Sequence, residues 1–382
     1  MKKRKILYIS GARADYGLMR ETLFSIKRHP SLKIEIAVTG MHLMSEFGKT
    51  IDEIEKDGFK IYKIEARYKK DNKESMATFI GEMVHFLAKA IKKINPDMIL
   101  LLGDRGEMLA GAIVGTYLTI PVVHIHGGDV TGSVDDVARN AITKLSNIHF
   151  PATKKSAERI KKMGEDAWRI FVVGAPGLDT ILNEKLFSRE EISKKYKLDL
   201  EKPIILVIQH PVTTEAKKTG NQIRETLEAL KEMKCQTVII YPNADAGGRR
   251  IIKIIEKYRK HPFIKIYKNI IHKDYLSLMK IVNVMIGNSS GGIIEAPSFH
   301  LPVVNIGSRQ TGRECTKNLI NVPPQKKAIK RAIEKALFNK KFKKRVLYCT
   351  NPYGDGKASN RIIKILSKVK IDKKLLQKKL TY

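Results

Sequence analysis

Short apolar runs alternating with amphipathic stretches restrict the fold of this chain more than any other feature of its sequence. In the N-terminal half, strand-like runs fall at residues 6–10, 34–38, 61–64, 98–102, 122–125, 149–150 and 170–173, with helical patterns between them at 16–28, 76–94 and 107–119. Over 76–94 the apolar residues Phe79, Ile80, Met83, Val84, Leu87, Ala88 and Ile91 recur at spacings of three and four, the period of one helix face. Strands that alternate with helices predict a parallel sheet covered by helices on both sides. The glycine- and proline-rich stretch Gly174-Ala175-Pro176-Gly177 and the charged segment 183–202 interrupt this pattern and mark a domain junction. A second series follows, with strands at 204–208, 237–241, 263–267, 284–286 and 303–306 and helices at 220–232, 249–260 and 274–281. The expected fold class is therefore α/β, with two doubly wound Rossmann-like domains facing a cleft. Their expected bounds are 1–180 and 181–355, followed by an amphipathic helix and a basic tail in 356–382. No repeat of solenoid period is present.

Composition narrows the class further. A chain of 382 residues suits two domains that each bury a core, and an apolar fraction of 43% rules out a disordered chain. Lys and Arg number 72 against 39 Asp and Glu, and the net charge of +33 favours anionic partners or a solvated lysine surface. With 7% aromatic residues and no RNA- or DNA-reading motif, a nucleic-acid partner is not expected. Cys235, Cys315 and Cys349 form no CxxC pair, which points to a reducing cytoplasm. The basic start Met1-Lys2-Lys3-Arg4-Lys5 precedes an apolar run too short for a signal peptide. No window offers ~18 uninterrupted apolar residues, so no membrane span or membrane partner is expected.

Ligands of doubly wound sheets sit at the carboxyl ends of the strands, and this chain concentrates its ionisable residues there. The first run leads into Gly11-Ala12-Arg13-Ala14-Asp15-Tyr16-Gly17, a glycine turn before a helix where Arg13 can meet an anion. It is not a GxGxxG fingerprint, and the chain contains no P-loop. The run 98–102 ends in Gly103-Asp104-Arg105-Gly106-Glu107. The run 122–125 ends in His126-Gly127-Gly128-Asp129 and leads on to Asp135-Asp136. His124, His126 and Asp129 resemble a metal-ligand set, but no further cluster completes a shell, so no metal is expected. Asp104, Asp129 and Asp135 read instead as acids and bases, because like charges in one cleft push their pKa values apart.

In the second half, Gln209-His210-Pro211-Val212-Thr213-Thr214 puts His210 at a strand end, suited to a phosphate or a proton in transit. Asn243, in Tyr241-Pro242-Asn243-Ala244-Asp245-Ala246-Gly247-Gly248, suits a sugar or phosphate contact or a plain turn. The densest signal is Gly287-Asn288-Ser289-Ser290-Gly291-Gly292, whose small residues let backbone N–H groups approach a diphosphate at a helix start. Glu295, expected one turn or more into that helix, suits the two ribose hydroxyls. Gly307-Ser308-Arg309 adds a cation nearby.

Taken in order, these residues resemble the UDP-N-acetylglucosamine 2-epimerase family, in its hydrolysing branch of sialic-acid and legionaminic-acid pathways. Further matching stretches are Arg139-Asn140-Ala141-Ile142-Thr143-Lys144, Gln310 after Arg309, and Asn351-Pro352-Tyr353-Gly354-Asp355-Gly356. The resemblance spans nearly the whole chain. It implies the B-type glycosyltransferase fold with the last helix crossing back to the first domain, a homodimer, a UDP-sugar substrate and no redox cofactor. It further implies that Arg13, His210, Asn243, Ser289, Ser290, Glu295 and Arg309 surround UDP, with Asp104 and Asp135 among the catalytic carboxylates. Where the family often carries a glutamate this chain has His126, so either His126 or Asp129 takes the third catalytic place. Gly17 stands where the family has a serine. The sugar is UDP-N-acetylglucosamine or its 2,4-diacetamido-2,4,6-trideoxy analogue; a glycosyltransferase on the same fold is the further alternative.

Overall fold

The computed structural model describes residues 3–379 and 381. The first sheet consists of β1 (Arg4–Ser10), β2 (Leu32–Val38), β3 (Ile61–Lys63), β4 (Met98–Leu102), β5 (Val122–Ile125) and β6 (Ile148–Phe150), in the spatial order β3-β2-β1-β4-β5-β6. The second consists of β7 (Ile204–Ile208), β8 (Gln236–Ile240), β9 (Ile264–Tyr267), β10 (Val284–Gly287), β11 (Val303–Ile306) and β12 (Leu319–Val322), in the order β12-β11-β10-β7-β8-β9. All the strand pairs are parallel. Read from its third strand, each sheet has the order 3-2-1-4-5-6, so each has a topological switch point beside its first strand, where a crevice opens.

The strands are apolar throughout because both faces are covered. Ile6 and Tyr8 of β1, with Leu100 of β4, enter one core beneath the helices Arg13–Arg28 and Ala358–Lys368. Their neighbours Leu7, Ile9, Ile99 and Leu101 enter the opposite core with Phe79, Met83 and Leu87 of the helix Lys73–Ile94. Period two along each strand thus feeds two cores at once. The helix at 358–368 belongs to the first of these: Ile362 and Leu366 are fully buried there, and Thr22 and Ser359 share a hydrogen bond of 2.8 Å. The Arg4 guanidinium donates to the carbonyls of Leu366 and Val369, and Asn147 donates to that of Leu375, fastening the last segment to the first sheet.

Two expectations are corrected. Residues 170–173 form no strand; only an isolated bridge links His149 and Ile170. Phe171 N–H donates to His149 and Val173 N–H to Pro151, but the returning bond would have to come from Pro151, which has no N–H. The helix after β10 is only Gly291–Ile294, with Glu295 at its C-cap rather than inside it. Pro297 cannot extend the ladder, and the chain tightens into a 3-10 turn over Ala296–Phe299. The edge strand β12 and the helix Arg189–Tyr196, within the charged segment 183–202, were not foreseen. That helix is started by a reciprocal Ser188–Glu191 capping box and buries Ile192 and Tyr196 against Leu206 and Val238 of the second sheet.

Candidate active site

The carboxyl ends of the two sheets face each other across a cleft of about 650 Å³, within the range of small-molecule sites. Its walls include Arg13, Asp104, His126, Asp135, His210, Asn243, Ser289, Ser290 and Arg309. Most residues singled out from the sequence are therefore brought together. Glu295 lies just behind this wall, and Asp129 is turned away from it.

On the first-domain side, Asp104 follows β4, and Asp135 lies in the first turn of the helix Val134–Leu145, capped by Ser133. The Arg139 guanidinium, on that helix and almost wholly buried, donates to Asp104, to Asp136 at 2.9 Å and to the Asp129 carbonyl at 3.0 Å. Burial works to raise the Asp104 carboxyl, but Arg139, Arg313, Arg309 and Arg105 overcome it and hold the group below the usual carboxylate range. Asp135 goes the other way, to about 6, through burial and then the charge of Asp104, against the pull of Arg309. The two carboxylates are thus driven apart, one fixed as an anion and the other poised near neutrality.

His126 directly follows β5 with a left-handed backbone (φ 64°), an uncommon state for a side-chain-bearing residue, and its side chain reaches the cleft. Burial lowers its pKa to about 4, so it is a neutral imidazole. Asp129 is paired with Arg313 of the second domain at 3.0 Å and is almost fully buried. Of the two candidates for the third place, His126 is the one on the wall. His124 bonds to the Gly103 carbonyl at 2.8 Å and to Thr143 at 3.1 Å, so it is spent on structure.

On the second-domain side the groups are mostly neutral. Asn288 clasps the backbone of His210, accepting its N–H at 2.7 Å and donating to its carbonyl at 2.9 Å. The His210 Nδ1 accepts the Asn243 N–H at 3.1 Å, which leaves the proton on Nε2. Burial, then Arg309, Arg105 and Arg13, push its pKa well below the usual value, so His210 is a neutral donor. The Asn243 side chain donates to Asp245 at 2.5 Å. Arg309 reaches back across the cleft, donating to the Asn288 carbonyl at 3.2 Å and to Asp135 at 3.4 Å.

A buried polar cluster adjoins this wall. Arg13 lies 5.7 Å over the Tyr275 ring, Tyr275 donates to Glu295 at 3.3 Å, and His272 approaches Glu295 at 3.6 Å. Arg13 Nη1, Glu53 Oε2, His272 Nε2 and Glu295 Oε1 are all buried without a hydrogen-bond partner among the described residues. Donors and acceptors left open together suit a polyhydroxylated ligand or ordered water. Sequence reading missed Glu53, His272 and Arg313, which sit in irregular or helical stretches without a periodic signal. Arg139 was named only within the stretch 139–144 that resembles the family, and its pairing with Asp136, three residues before it on one helix face, is a finding of the structure.

This architecture, two parallel α/β domains whose strand ends face one cleft, is the B-type glycosyltransferase fold. Residues 25–367 match the family described as UDP-N-acetylglucosamine 2-epimerase, and the chain belongs to that family. It is 42% identical over 376 residues, 98% of each chain, to the hydrolysing UDP-N,N'-diacetylbacillosamine 2-epimerase of Legionella pneumophila. It is 37% identical over 343 residues, 89% of each chain, to the UDP-N-acetylglucosamine 2-epimerase of Neisseria meningitidis serogroup B. Among solved structures, the Neisseria meningitidis UDP-GlcNAc 2-epimerase bound to UDP-GlcNAc superposes with a TM-score of 0.80 at 19% identity, covering 96% of this chain and 100% of that one.

Proposed function

We propose that this chain converts a UDP-2-acetamidohexose and water into UDP and the free 2-epimeric sugar. The observation that carries the reading is the split carboxylate pair, Asp104 held ionised by Arg139 and Asp135 raised to about 6, opposite a neutral, donor-rich cradle in one cleft. In this reading residues 1–180 serve the sugar and residues 181–355 hold UDP.

The C2 proton of such a sugar is too weakly acidic to be removed and returned directly. Elimination solves this. The C1–O bond breaks with its electrons moving to the diphosphate, C2 gives up its proton, and a glycal forms. Asp135, a base matched to neutral pH, accepts the proton. The fixed charge of Asp104 stabilises positive charge developing at C1. Ser289, Ser290, the His210 Nε2–H and Arg13 meet the departing diphosphate, where donors count most because negative charge grows there. Glu295 accepts from the ribose. Water then adds across the double bond, its OH to C1 and its H to C2 from the opposite side, with His126 placed to pass that proton.

The 42% likeness over 98% of the chain to the diacetylbacillosamine enzyme favours the 2,4-diacetamido sugar over UDP-N-acetylglucosamine as the better substrate. The family likeness also supports a cytoplasmic homodimer supplying amino sugars of the sialic-acid kind. The test is turnover of each UDP-sugar in D2O followed by NMR. Free UDP and an epimerised sugar carrying deuterium at C2 are expected. Retained protium at C2, or epimerised sugar still joined to UDP, refutes the hydrolysing elimination.

A further inference from the structure

Arg313 is a cleft residue with two side-chain donors left open among the described residues. Its side chain is only 6% exposed, yet it lines the cleft. One terminal nitrogen lies 3.0 Å from Asp129, while Nε and Nη1 are buried and have no partner among the described residues. Its neighbours are committed: Arg139 to Asp104, Asp136 and the Asp129 carbonyl, and Arg309 to Asn288 and Asp135. Leaving two guanidinium donors unmatched in a buried site is costly, and such groups are explained by what they bind.

The fold brings Arg313 to this place deliberately. The loop 129–132 of the first domain and the loop 308–312 of the second touch backbone to backbone. The Gly132 N–H donates to the Arg309 carbonyl at 3.0 Å, and a Cβ on Gly132 would fall 2.2 Å from the Ser308 carbonyl oxygen. Gly312 holds a left-handed φ of 83° against Val130. Just beyond, the Tyr353 hydroxyl donates to the Glu314 carbonyl at 2.9 Å. This gives the Asn351-Pro352-Tyr353-Gly354-Asp355-Gly356 motif a physical task, bracing the loop that carries Arg313. Asp129 then holds one side of the guanidinium and leaves the other side free.

We propose that Arg313 is a substrate-binding residue that grips the carbonyl oxygen of the acylamino group on the sugar's C2, with Asp129 as its positioning partner across the cleft. This deepens the epimerase reading and rests on it. The chemistry takes place at C1 and C2, so a group beside Asp104 and His126 faces the substituent of C2. A neutral amide oxygen accepts an N–H bond from the open Nε or Nη1, whereas a free amine at C2 would present a repelled ammonium. The diphosphate has its own donors at Ser289, Ser290, His210 and Arg13. The preference that follows is for 2-acylamino sugars over 2-amino and 2-hydroxy ones.

The experiment is steady-state kinetics on the full chain with UDP-N-acetylglucosamine and UDP-N,N'-diacetylbacillosamine, with UDP and UDP-glucose as competitive inhibitors that lack the acyl group. Arg313→Gln and Arg313→Lys are both expected to lower kcat/KM about 10- to 100-fold, the scale of hydrogen bonds to a charged group, with both inhibition constants unchanged. Lysine keeps the ion pair with Asp129 but not the further Nε and Nη1 donors, so a wild-type kcat/KM in Arg313→Lys would show that the pair merely ties the domains together and overturn the proposal. Inhibition constants that rise with the loss of turnover would place Arg313 on the diphosphate and overturn it equally. Should Arg313→Gln unfold, Asp129→Asn reads the same contact: a smaller loss is expected, with the Asp129→Asn/Arg313→Lys double variant no worse than Arg313→Lys alone. Losses that multiply would mean that the residues act independently, against the proposal. A wild-type chain inert on both sugars sinks the epimerase reading itself; an active wild type with an unimpaired Arg313→Lys sinks only this inference.

Discussion

On the first-domain wall of the cleft, the half-buried Asp104 and Asp135 sit beside the buried Arg139, and their charges set one another's protonation. On the second-domain wall, Asn288, Ser289, Ser290 and His210 present mainly neutral groups locked by amide–backbone hydrogen bonds. The contrast is between a surface that changes its protonation and one that does not. A charged floor in low dielectric can move protons but is costly to hold together without arginine clamps. A neutral cradle costs little to bury and presents fixed donors before the ligand arrives. The proposed function thus assigns chemistry to one wall and binding to the other, and variants on each side test that separation.

The largest effect is expected at Asp104. In the proposed mechanism Asp104→Asn removes the anion at C1 and leaves Arg139 with only Asp136 and the Asp129 carbonyl as acceptors, and turnover should fall about 10³-fold, within the range for a lost catalytic carboxylate. UDP affinity by calorimetry should change little; a parallel loss of UDP binding would show that the floor also builds the cradle. Glu295→Gln is the converse. It should weaken UDP binding about 10- to 100-fold, as for a hydrogen bond to a charged group, and raise KM far more than it lowers kcat. A kcat defect of equal size would erase the contrast between the walls.

A third test follows the proton. Asp135 carries its proton below about 6 and is ionised above it, so a base in this position makes kcat/KM rise with pH through about 6. Asp104 contributes to that elevation, so the limb should move to lower pH in the residual activity of Asp104→Asn. A limb that stays put assigns it to another group. The smallest effect on activity is expected at the seam behind the cradle. A Cβ on Gly17 would fall 2.7 Å from the His272 ring, so Gly17→Ser should cost about 1–3 kcal/mol of stability, the usual range for overpacking. Thermal melts read this directly, and an unchanged melt would mean that the domains part easily there.

Much of this was legible along the chain because it depends on local spacing. Period-two and period-3.6 patterns identified eleven of the twelve strands and the paired domains, since strands covered on both faces must be apolar throughout. Glycine, serine and carboxylate clusters after those strands located the cleft, because parallel sheets place every such end on one side. The failures were also physical. Pro151 cancelled a strand at 170–173 that its own residues favour, and Pro297 cut short the helix before Glu295.

What the sequence determined by itself was which residues stand at strand ends, and so which wall each belongs to. Only the tertiary structure decided which of them meet. His126 and Asp129 lie three residues apart and are chemically plausible alike, but a left-handed turn sends one to the cleft while the other is taken by an arginine 184 positions further on. Arg313 had no neighbour in the sequence to give it meaning. Its partner, its brace at Tyr353 and its open donors come from segments far apart in the chain that only the tertiary arrangement brings together, and no local pattern encodes such a contact.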